Sequence, residues 1–405
     1  MVMNKSIIGF AAAVLCGCTA FNQNYQMGTY GYDLAFIEKH GVEVVELKSE
    51  DGQSKVMVIP AWQGRVLTTT TGGNEGDSYG WINYKLIESG EVSPQFNPVG
   101  GEERFWLGPE GGPFSWYFKK GQEQVHSNWV VPPVIDTEAY DIEKQDDKSI
   151  VFTKKFSLVN ASDIKFDMGL TRTVSLLGKP EIAEVLGAEV PEGVKAIAYC
   201  SDNLLTNCGE TAWNKETGMP SVWMLGLFNP TPTTTVFIPY NKECKGKLVK
   251  DDYFGKIPSD RLILEDGMLY FKIDGLCRTK LGLPPGSATG LAASYDTEKS
   301  VLTILKYIAP TQDALYVNSQ WGDQEDPFDG DVINSYNDGP TEDGTIMGPF
   351  YEIEASSPAA ALAPGESLSH IQYTIHIQGD QAIIAGIVKD VFGVELEKIT
   401  GIFAK

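Results

Sequence analysis

In the stretch Ser369-His370-Ile371-Gln372-Tyr373-Thr374-Ile375-His376-Ile377, polar and apolar side chains alternate from His370 to Ile377. Successive side chains of a β-strand point to opposite faces, so the two histidines share one face and the three isoleucines share the other. An amphipathic helix would instead repeat its apolar residues every three or four positions. The stretch therefore predicts a β-strand whose polar face meets solvent or forms the floor of a polar cleft.

Similar short runs rich in Val, Ile, Thr, Phe and Tyr recur along the rest of the chain, separated by turn residues. They cover residues 42–47, 55–59, 65–71, 149–156, 168–177, 194–200, 222–228, 233–239, 268–273, 301–307 and 350–354. This density of strands is typical of an all-β sandwich or barrel. Few helices are expected, and the clearest runs from Asp380 to Val391, ending near Gly393.

The chain has 405 residues and a formal net charge of −22. No Pro/Ser-rich linker or charge block interrupts it, so we predict a single domain over residues 29–405 rather than two. Nucleic-acid binding rests on clusters of Lys and Arg, and the acidic balance argues against that class of partner. A neutral, polyol-like or cationic ligand fits the charge better.

The first 18 residues have the pattern of an export signal, in which Lys5 precedes an apolar segment too short to span a bilayer. The segment ends in Leu15-Cys16-Gly17-Cys18, which is typical of bacterial lipoproteins and predicts lipid attachment at Cys18. Residues 19–28 would form a tether. The protein would then be anchored in the cell envelope, facing the periplasm or the outside. An ordinary secretory signal or a single membrane helix is the alternative.

Four cysteines follow the predicted signal, an even number that permits two disulfides in an exported protein. Their spacing favours pairs of Cys200 with Cys208 and of Cys244 with Cys277. Four buried thiols are the alternative.

A glycine-rich segment, residues 100–116, holds Arg104, Trp106, Glu110 and Trp116. Sugars bind where aromatic faces meet their C–H faces and charged groups meet their hydroxyls, so these side chains are candidates for substrate binding. Trp321, Asn337 and Asp338 are further candidates from the C-terminal region. The alternative is a core loop in which the tryptophans pack and the arginine pairs with a glutamate.

Carboxylate and imidazole groups are the usual partners in general acid–base catalysis, because their pKa can be tuned toward neutrality. Glu352 and Glu354 lie two residues apart and share a strand face, so either is a candidate base. His370 or His126 is the candidate acid. The alternative is a pair of strand carboxylates that face water.

An acidic run of hard oxygen ligands is a candidate calcium site, although its spacing differs from an EF-hand loop. It consists of Asp323, Glu325, Asp326, Asp329 and Asp331. A solvated acidic loop is the alternative.

Three segments resemble the galactose mutarotase-like (aldose 1-epimerase-like) superfamily. Val58-Ile59-Pro60-Ala61-Trp62-Gln63-Gly64-Arg65-Val66 resembles its early strand, and residues 100–110 resemble its Gly-Gly-x-Arg-x-Trp-x-x-Pro-Glu segment. Leu362-Ala363-Pro364-Gly365-Glu366-Ser367-Leu368-Ser369-His370 resembles the stretch after its catalytic glutamate.

This resemblance implies a β-supersandwich with an open sugar-binding cleft. It also implies an epimerase mechanism in which a Glu takes the anomeric proton and a His protonates the ring oxygen. The matching carboxylate is Glu354 or Glu352. The segment similar to the strand that bears the family's acid, residues 225–229, contains no histidine. Two hypotheses follow, an epimerase-like enzyme or a glycan-binding protein without catalysis.

Overall fold

The computed structural model of the protein describes residues 25–341 and 344–404. The predicted signal peptide, the lipidation site Cys18 and residues 19–24 of the predicted tether lie outside the described residues. Tyr25 already contacts the fold, since its hydroxyl accepts a hydrogen bond from Asn74 at 3.1 Å. None of the helices in the described part of the chain has the length and apolar character needed to cross a membrane.

Within the described ranges the chain forms eighteen β-strands and five α-helices. The strands are β1 (Val45–Lys48), β2 (Lys55–Ile59), β3 (Arg65–Thr70), β4 (Arg104–Gly108), β5 (Asp141–Gln145), β6 (Ser149–Val159), β7 (Lys165–Leu177), β8 (Val194–Asn207), β9 (Ser221–Phe228), β10 (Thr235–Pro239), β11 (Leu262–Glu265), β12 (Met268–Lys272), β13 (Thr279–Leu283), β14 (Leu291–Asp296), β15 (Val301–Tyr307), β16 (Ile333–Asn337), β17 (Tyr351–Ser356) and β18 (Ser367–Gly379). The helices are α1 (Tyr30–Lys39), α2 (Tyr84–Ser89), α3 (Lys179–Leu186), α4 (Gln381–Phe392) and α5 (Leu396–Gly401).

The strands form three antiparallel sheets. The largest has ten strands in the order β11-β12-β10-β14-β15-β18-β8-β7-β6-β5. A five-stranded sheet has the order β13-β16-β17-β9-β4, and β1, β2 and β3 form the third. Apolar side chains of the five-stranded sheet, such as Ile353 and Leu281, pack against Leu305 and Ala292 of the large sheet. This face-to-face packing confirms the predicted all-β supersandwich.

Helices cover the opposite face of the ten-stranded sheet. Ile375 and Ile377 of β18 belong to the same buried cluster as Ile384 and Val388 of α4. Helix α4 confirms the predicted C-terminal helix. Its first turn is capped by the Asp380 side chain, which accepts a hydrogen bond from the Ala382 amide at 2.8 Å, and it ends at Gly393, where φ is 69°.

The polar face of β18 lies between the sheets, where it joins a buried polar layer formed by Glu102, Glu103, Arg172, Gln372 and His376. His376 Nε2 is hydrogen-bonded to Glu102 Oε1 at 2.8 Å, and Gln372 Nε2 donates to Glu103 Oε2 at 3.0 Å. Arg172 Nη2 pairs with Glu103 Oε1 at 2.8 Å, and neither side chain is exposed. The alternation predicted for β18 is confirmed. The expectation that its polar face meets solvent or a cleft is wrong, because His370, Gln372, Thr374 and His376 are all buried between the sheets.

Strand β8 runs seven residues beyond its predicted end at Cys200. The polar residues Ser201, Asp202 and Asn203 resemble a turn in the sequence, yet they continue the strand. Asn203 is buried and its Oδ1 accepts a hydrogen bond from Arg172 Nη1 at 2.8 Å. A polar residue can continue a buried strand when a charged donor satisfies it.

All four cysteines after the predicted signal are free thiols, so the predicted disulfides are wrong. Cys200 lies within β8 and Cys208 directly follows its end, so roughly 26 Å of extended chain separates them. A disulfide requires Cα atoms within about 7 Å. Cys244 lies beside Gly286 and Cys277 beside Gly339, so the second pair has different neighbours as well.

Candidate functional site

The candidate site lies on the face of the five-stranded sheet that points away from the ten-stranded sheet. Glu352 of β17 is directly opposite Tyr336 of β16, which in turn is opposite Lys280 of β13. Residues directly opposite in an antiparallel ladder share a face, so these three side chains project together. Glu354 lies two residues along β17 and therefore projects on the same side. We call this surface the site face.

Glu354 is fully buried at the floor of the site face. Its Oε2 accepts hydrogen bonds from Trp223 Nε1 at 3.0 Å and from Lys280 Nζ at 2.9 Å. The Lys280 ammonium also lies 4.9 Å from the centre of the Trp223 ring, within cation–π range. The other oxygen, Oε1, has no hydrogen-bond donor among the described residues.

Glu352 and Lys280 are partly exposed beside Glu354. Burial raises the pKa of the Glu352 carboxyl well above its usual value, and the Glu354 charge adds to this rise, whereas Lys280 and Arg104 oppose it. Burial alone would lower the pKa of Lys280. The charges of Glu354, Glu352 and Glu110 outweigh burial and raise the Lys280 pKa above its ordinary value. Glu352 thus tends to hold a proton while Lys280 stays charged.

Glu110 connects these groups to an aromatic rim. Trp321 is 37% exposed, and its Nε1 donates to Glu110 Oε1 at 2.9 Å. Burial raises the pKa of Glu110, and Lys280 and this hydrogen bond oppose the rise. Trp321 stacks on Trp129 with ring centres 6.0 Å apart, and Trp129 stacks on His126 at 6.1 Å. Of the predicted sugar-binding residues, Glu110 interacts electrostatically with Lys280 and Glu354, and Trp321 contacts Glu110. The exposed His126 is separated from Trp321 by the Trp129 ring.

Arg104 and Trp106 form a support beneath this rim. The Arg104 guanidinium lies 4.3 Å from the centre of the Trp106 ring, and its Nη2 is 3.5 Å from Asp136 Oδ1. Both side chains are almost completely buried. They share the site face, but their exposed area is too small for broad contact with a ligand.

Three predicted sugar-binding residues have structural partners instead. Trp116 is buried, packs edge-on against Phe166 and donates from Nε1 to the Gly108 carbonyl at 2.9 Å. Asn337 projects from the opposite face of β16 and accepts from the Gly275 amide at 2.9 Å. Asp338 is buried and accepts from the Tyr336 hydroxyl at 2.5 Å. Asp338 therefore orients the Tyr336 side chain.

His370 does not meet the carboxyl pair. It belongs to β18 and has the same parity as Gln372 and His376, which contact Glu103 and Glu102 between the sheets. Glu352 and Glu354 project from the far face of the five-stranded sheet. The structure therefore contradicts the pairing of His370 with these glutamates as acid and base, because the sheet itself separates the groups.

The buried His370 predicts a pH dependence of stability. Burial lowers its pKa from 6.5 to about 4. The unfolded chain therefore binds a proton below pH 6.5 that the folded protein takes up only near pH 4, so stability is retained above pH 6.5 and lost as the pH falls toward 4. We expect this histidine to account for about 3 kcal/mol of that loss.

Denaturant unfolding between pH 4 and 7 tests this expectation. His370→Leu should lose part of the acid-induced destabilisation, whereas His126→Gln, at an exposed position, should follow the wild-type profile. Identical pH profiles for the His370 variant and the wild type would contradict the assignment.

The acidic run does not assemble a metal site. Over residues 25–341 and 344–404, no three His, Cys, Asp or Glu side chains come together in an arrangement able to hold a metal ion. Asp331 is buried and its Oδ1 lies 3.4 Å from Lys250 Nζ, which also pairs with Asp329 at 3.4 Å. Asp326 accepts from the Phe328 amide at 2.8 Å, and Asp323 and Glu325 are exposed. The predicted calcium cluster is therefore not formed among the described residues, where Lys250 pairs with Asp329 and Asp331 and the Phe328 amide binds Asp326.

Lys280 and Trp223 are the site residues that the sequence interpretation missed. Residues 279–283 alternate, with Leu281 and Leu283 on one face, and this pattern predicts a short strand with Lys280 on the other face. Its pairing with β16 is a contact between distant parts of the chain, which local patterns do not predict. A cavity of about 30 Å³ beside Tyr79 and Thr303 and an open groove of about 390 Å³ beside Asp77 and Lys195 lie elsewhere.

Comparisons with solved structures agree with the fold. The chain is similar to the Slr1438 protein from Synechocystis sp. PCC 6803, with a TM-score of 0.51, 13% identity and coverage of 84% of this chain and 96% of that chain. It is also similar to a galactose mutarotase-like protein from Lactobacillus casei (TM-score 0.48, 11% identity, 82% and 100% coverage). A galactose mutarotase related enzyme from Lactobacillus acidophilus has a TM-score of 0.43, 9% identity, and 84% and 97% coverage. At 13% identity the likeness to the Slr1438 protein concerns the fold alone.

No curated protein sequence matches the chain at a significant level. A family match nevertheless covers most of its length, from residue 28 to residue 403, and spans all three sheets together with the site face. The chain belongs to the family described as a family of unknown function, DUF6786.

Proposed function

We propose that the protein binds a carbohydrate on the site face. The observation that carries this proposal is the pair Glu352 and Glu354 beside Lys280, bordered by the half-exposed indole of Trp321 that Glu110 holds in place. An indole face stacks on the C–H face of a sugar ring, and carboxylate and ammonium groups hydrogen-bond its hydroxyls. Trp321 would supply the stacking surface, and Glu110, Lys280 and Glu352 the polar contacts.

Epimerase-like proton transfer at a sugar carbon is the activity that this arrangement favours. Glu354 or Glu352 would act as the base. A non-catalytic glycan-binding role is the second candidate, and one specific observation favours it: His370, the expected acid, lies on the other side of the five-stranded sheet. Interconversion of sugar anomers by the protein would exclude the non-catalytic role.

Thermal melting of the protein against a panel of mono- and oligosaccharides tests the proposal. A ligand that binds only the folded state raises the melting midpoint in proportion to the logarithm of its concentration over Kd. We expect such a rise for at least one sugar and its loss in Trp321→Ala. Ile142→Ala, which removes another exposed apolar side chain from the distant strand β5, is the matched control. Absence of a midpoint shift with every sugar would contradict carbohydrate binding.

We also propose that residues 1–18 direct export and that a lipid on Cys18 anchors the protein in the bacterial cell envelope. The partners would be carbohydrate and membrane, and the net charge of −22 argues against nucleic acid. Metabolic labelling with a palmitate analogue should mark the wild type and leave Cys18→Ser unlabelled. Equal labelling of both proteins would contradict the anchor.

A further inference from the structure

The two glutamates of β17 project side by side from one face of the strand, because they lie two residues apart in an extended segment. Two ionised carboxylates offer only acceptors, so a hydrogen bond between them requires a proton on one of them. Glu354 Oε2 already accepts from Trp223 and Lys280, while the buried Oε1 has no donor among the described side chains and amides. A proton on Glu352 supplies the donor that Glu354 Oε1 lacks.

The charge balance of the site face points the same way. The carboxyls of Glu110, Glu352 and Glu354 all interact with Lys280. Arg104 also faces Glu352, but its guanidinium contacts Asp136 and the Ile135 carbonyl. From β16, the neutral Tyr336 hydroxyl donates to Asp338. Three buried or half-buried carboxyls face one ammonium, so ionising all three would leave an excess of negative charge. One carboxyl therefore retains its proton, as in other carboxyl pairs that share one.

We infer, building on the proposed sugar site, that Glu352 and Glu354 share one proton and together supply both the acid and the base for ring opening of an uncharged reducing sugar. Glu352 thereby takes the role that the family resemblance assigns to a histidine. The ligand class is a cyclic hemiacetal with a free anomeric hydroxyl. A negatively charged sugar would add to the excess of carboxylates.

The proton transfers balance without any further reactant. Glu354 takes the proton of the anomeric hydroxyl, the carbonyl forms at that carbon, and the bond from the carbon to the ring oxygen breaks. The electron pair of that bond remains on the ring oxygen, which takes the proton of Glu352. The anomeric and ring oxygens are bonded to the same carbon, so two adjacent carboxyls can serve both. After rotation of the carbonyl, the reverse transfers close the other anomer and restore the pair.

Infrared spectroscopy of the whole protein at pH 7 detects the shared proton without any sugar. We expect the difference between the wild-type and Glu352→Gln spectra to contain one protonated-carboxyl band that shifts in D₂O. Glu143 lies on the exposed strand β5 and serves as the control. The difference between the wild-type and Glu143→Gln spectra should lack this band. A difference spectrum that lacks the band would overturn the shared proton.

Anomer exchange measured by NMR, together with calorimetric sugar binding, then tests the catalytic role. Glu352→Gln preserves the shape and a hydrogen-bond donor but cannot give up a proton. Sugar binding should remain within about tenfold, while the exchange rate falls by about 100-fold or more. Wild-type exchange rates in Glu352→Gln would overturn the role of Glu352. If the wild type shows the infrared band but binds no sugar, the proposed function and the catalytic role fail while the shared proton stands.

Discussion

Replacing Glu354 by glutamine is expected to slow anomer exchange by about 100-fold to 10,000-fold, the usual contribution of a positioned acid or base. Glutamine has nearly the same shape, and its carbonyl oxygen can still accept from Trp223 Nε1 and Lys280 Nζ. The fold and sugar binding should therefore persist, whereas the amide cannot take the anomeric proton. NMR exchange spectroscopy gives the rate, and calorimetry gives the binding constant.

Measuring both the sugar-binding constant and the exchange rate separates loss of catalysis from loss of the ligand. Glu143→Gln makes the same chemical change at an exposed position on β5 and should keep wild-type values of both. A Glu354→Gln protein that exchanges anomers at the wild-type rate would contradict a role for this carboxylate as base. Tight sugar binding with no exchange in the wild type would instead identify the protein as a glycan-binding module.

The second large effect concerns stability and arises in the buried polar layer. Arg172→Leu leaves Glu103 without its cation, although Ser201 and Gln372 still donate to it at 2.9 and 3.0 Å. Removing one partner of a buried ion pair costs about 3–5 kcal/mol, because the remaining charge is desolvated without compensation. We therefore expect the urea midpoint to fall steeply in Arg172→Leu and also in Glu103→Leu.

The double variant Arg172→Leu/Glu103→Leu distinguishes loss of the pair from damage to packing. It removes both charges, so its destabilisation should be clearly smaller than the sum of the two single effects. The half-exposed pair of Lys154 and Glu138, 2.8 Å apart, is the control. Its disruption by Lys154→Ala should cost less than about 1 kcal/mol. Additive single effects in the double variant would contradict coupling across the pair.

Much of the fold was predictable from the local periodicity of the sequence. Strands β2 and β15 coincide with their predicted ranges, because their apolar residues are bounded by clear turn signals. Helix α4 was predictable from the capping Asp380 and the terminal Gly393. Strand parity also placed Glu352 and Glu354 on one face. These features depend on neighbours within a few residues, so the sequence contains them directly.

The rest of the fold and of the site depended on contacts between strands that are far apart in the chain. Parity put His370 and His376 on one face of β18, but only the packing of two sheets turned that face inward, where Glu102 pairs with His376 and Glu103 pairs with Gln372. Likewise, Lys280 reaches Glu354 because β13, β16 and β17 lie side by side, although the two residues are 74 positions apart in the chain. The sequence by itself therefore determined twelve of the eighteen described strands, the alternation of their faces and the carboxyl pair. Tertiary structure decided which face is buried and which cation lies beside the pair, because sheet packing and strand order minimise the free energy of the whole chain and not of any local segment.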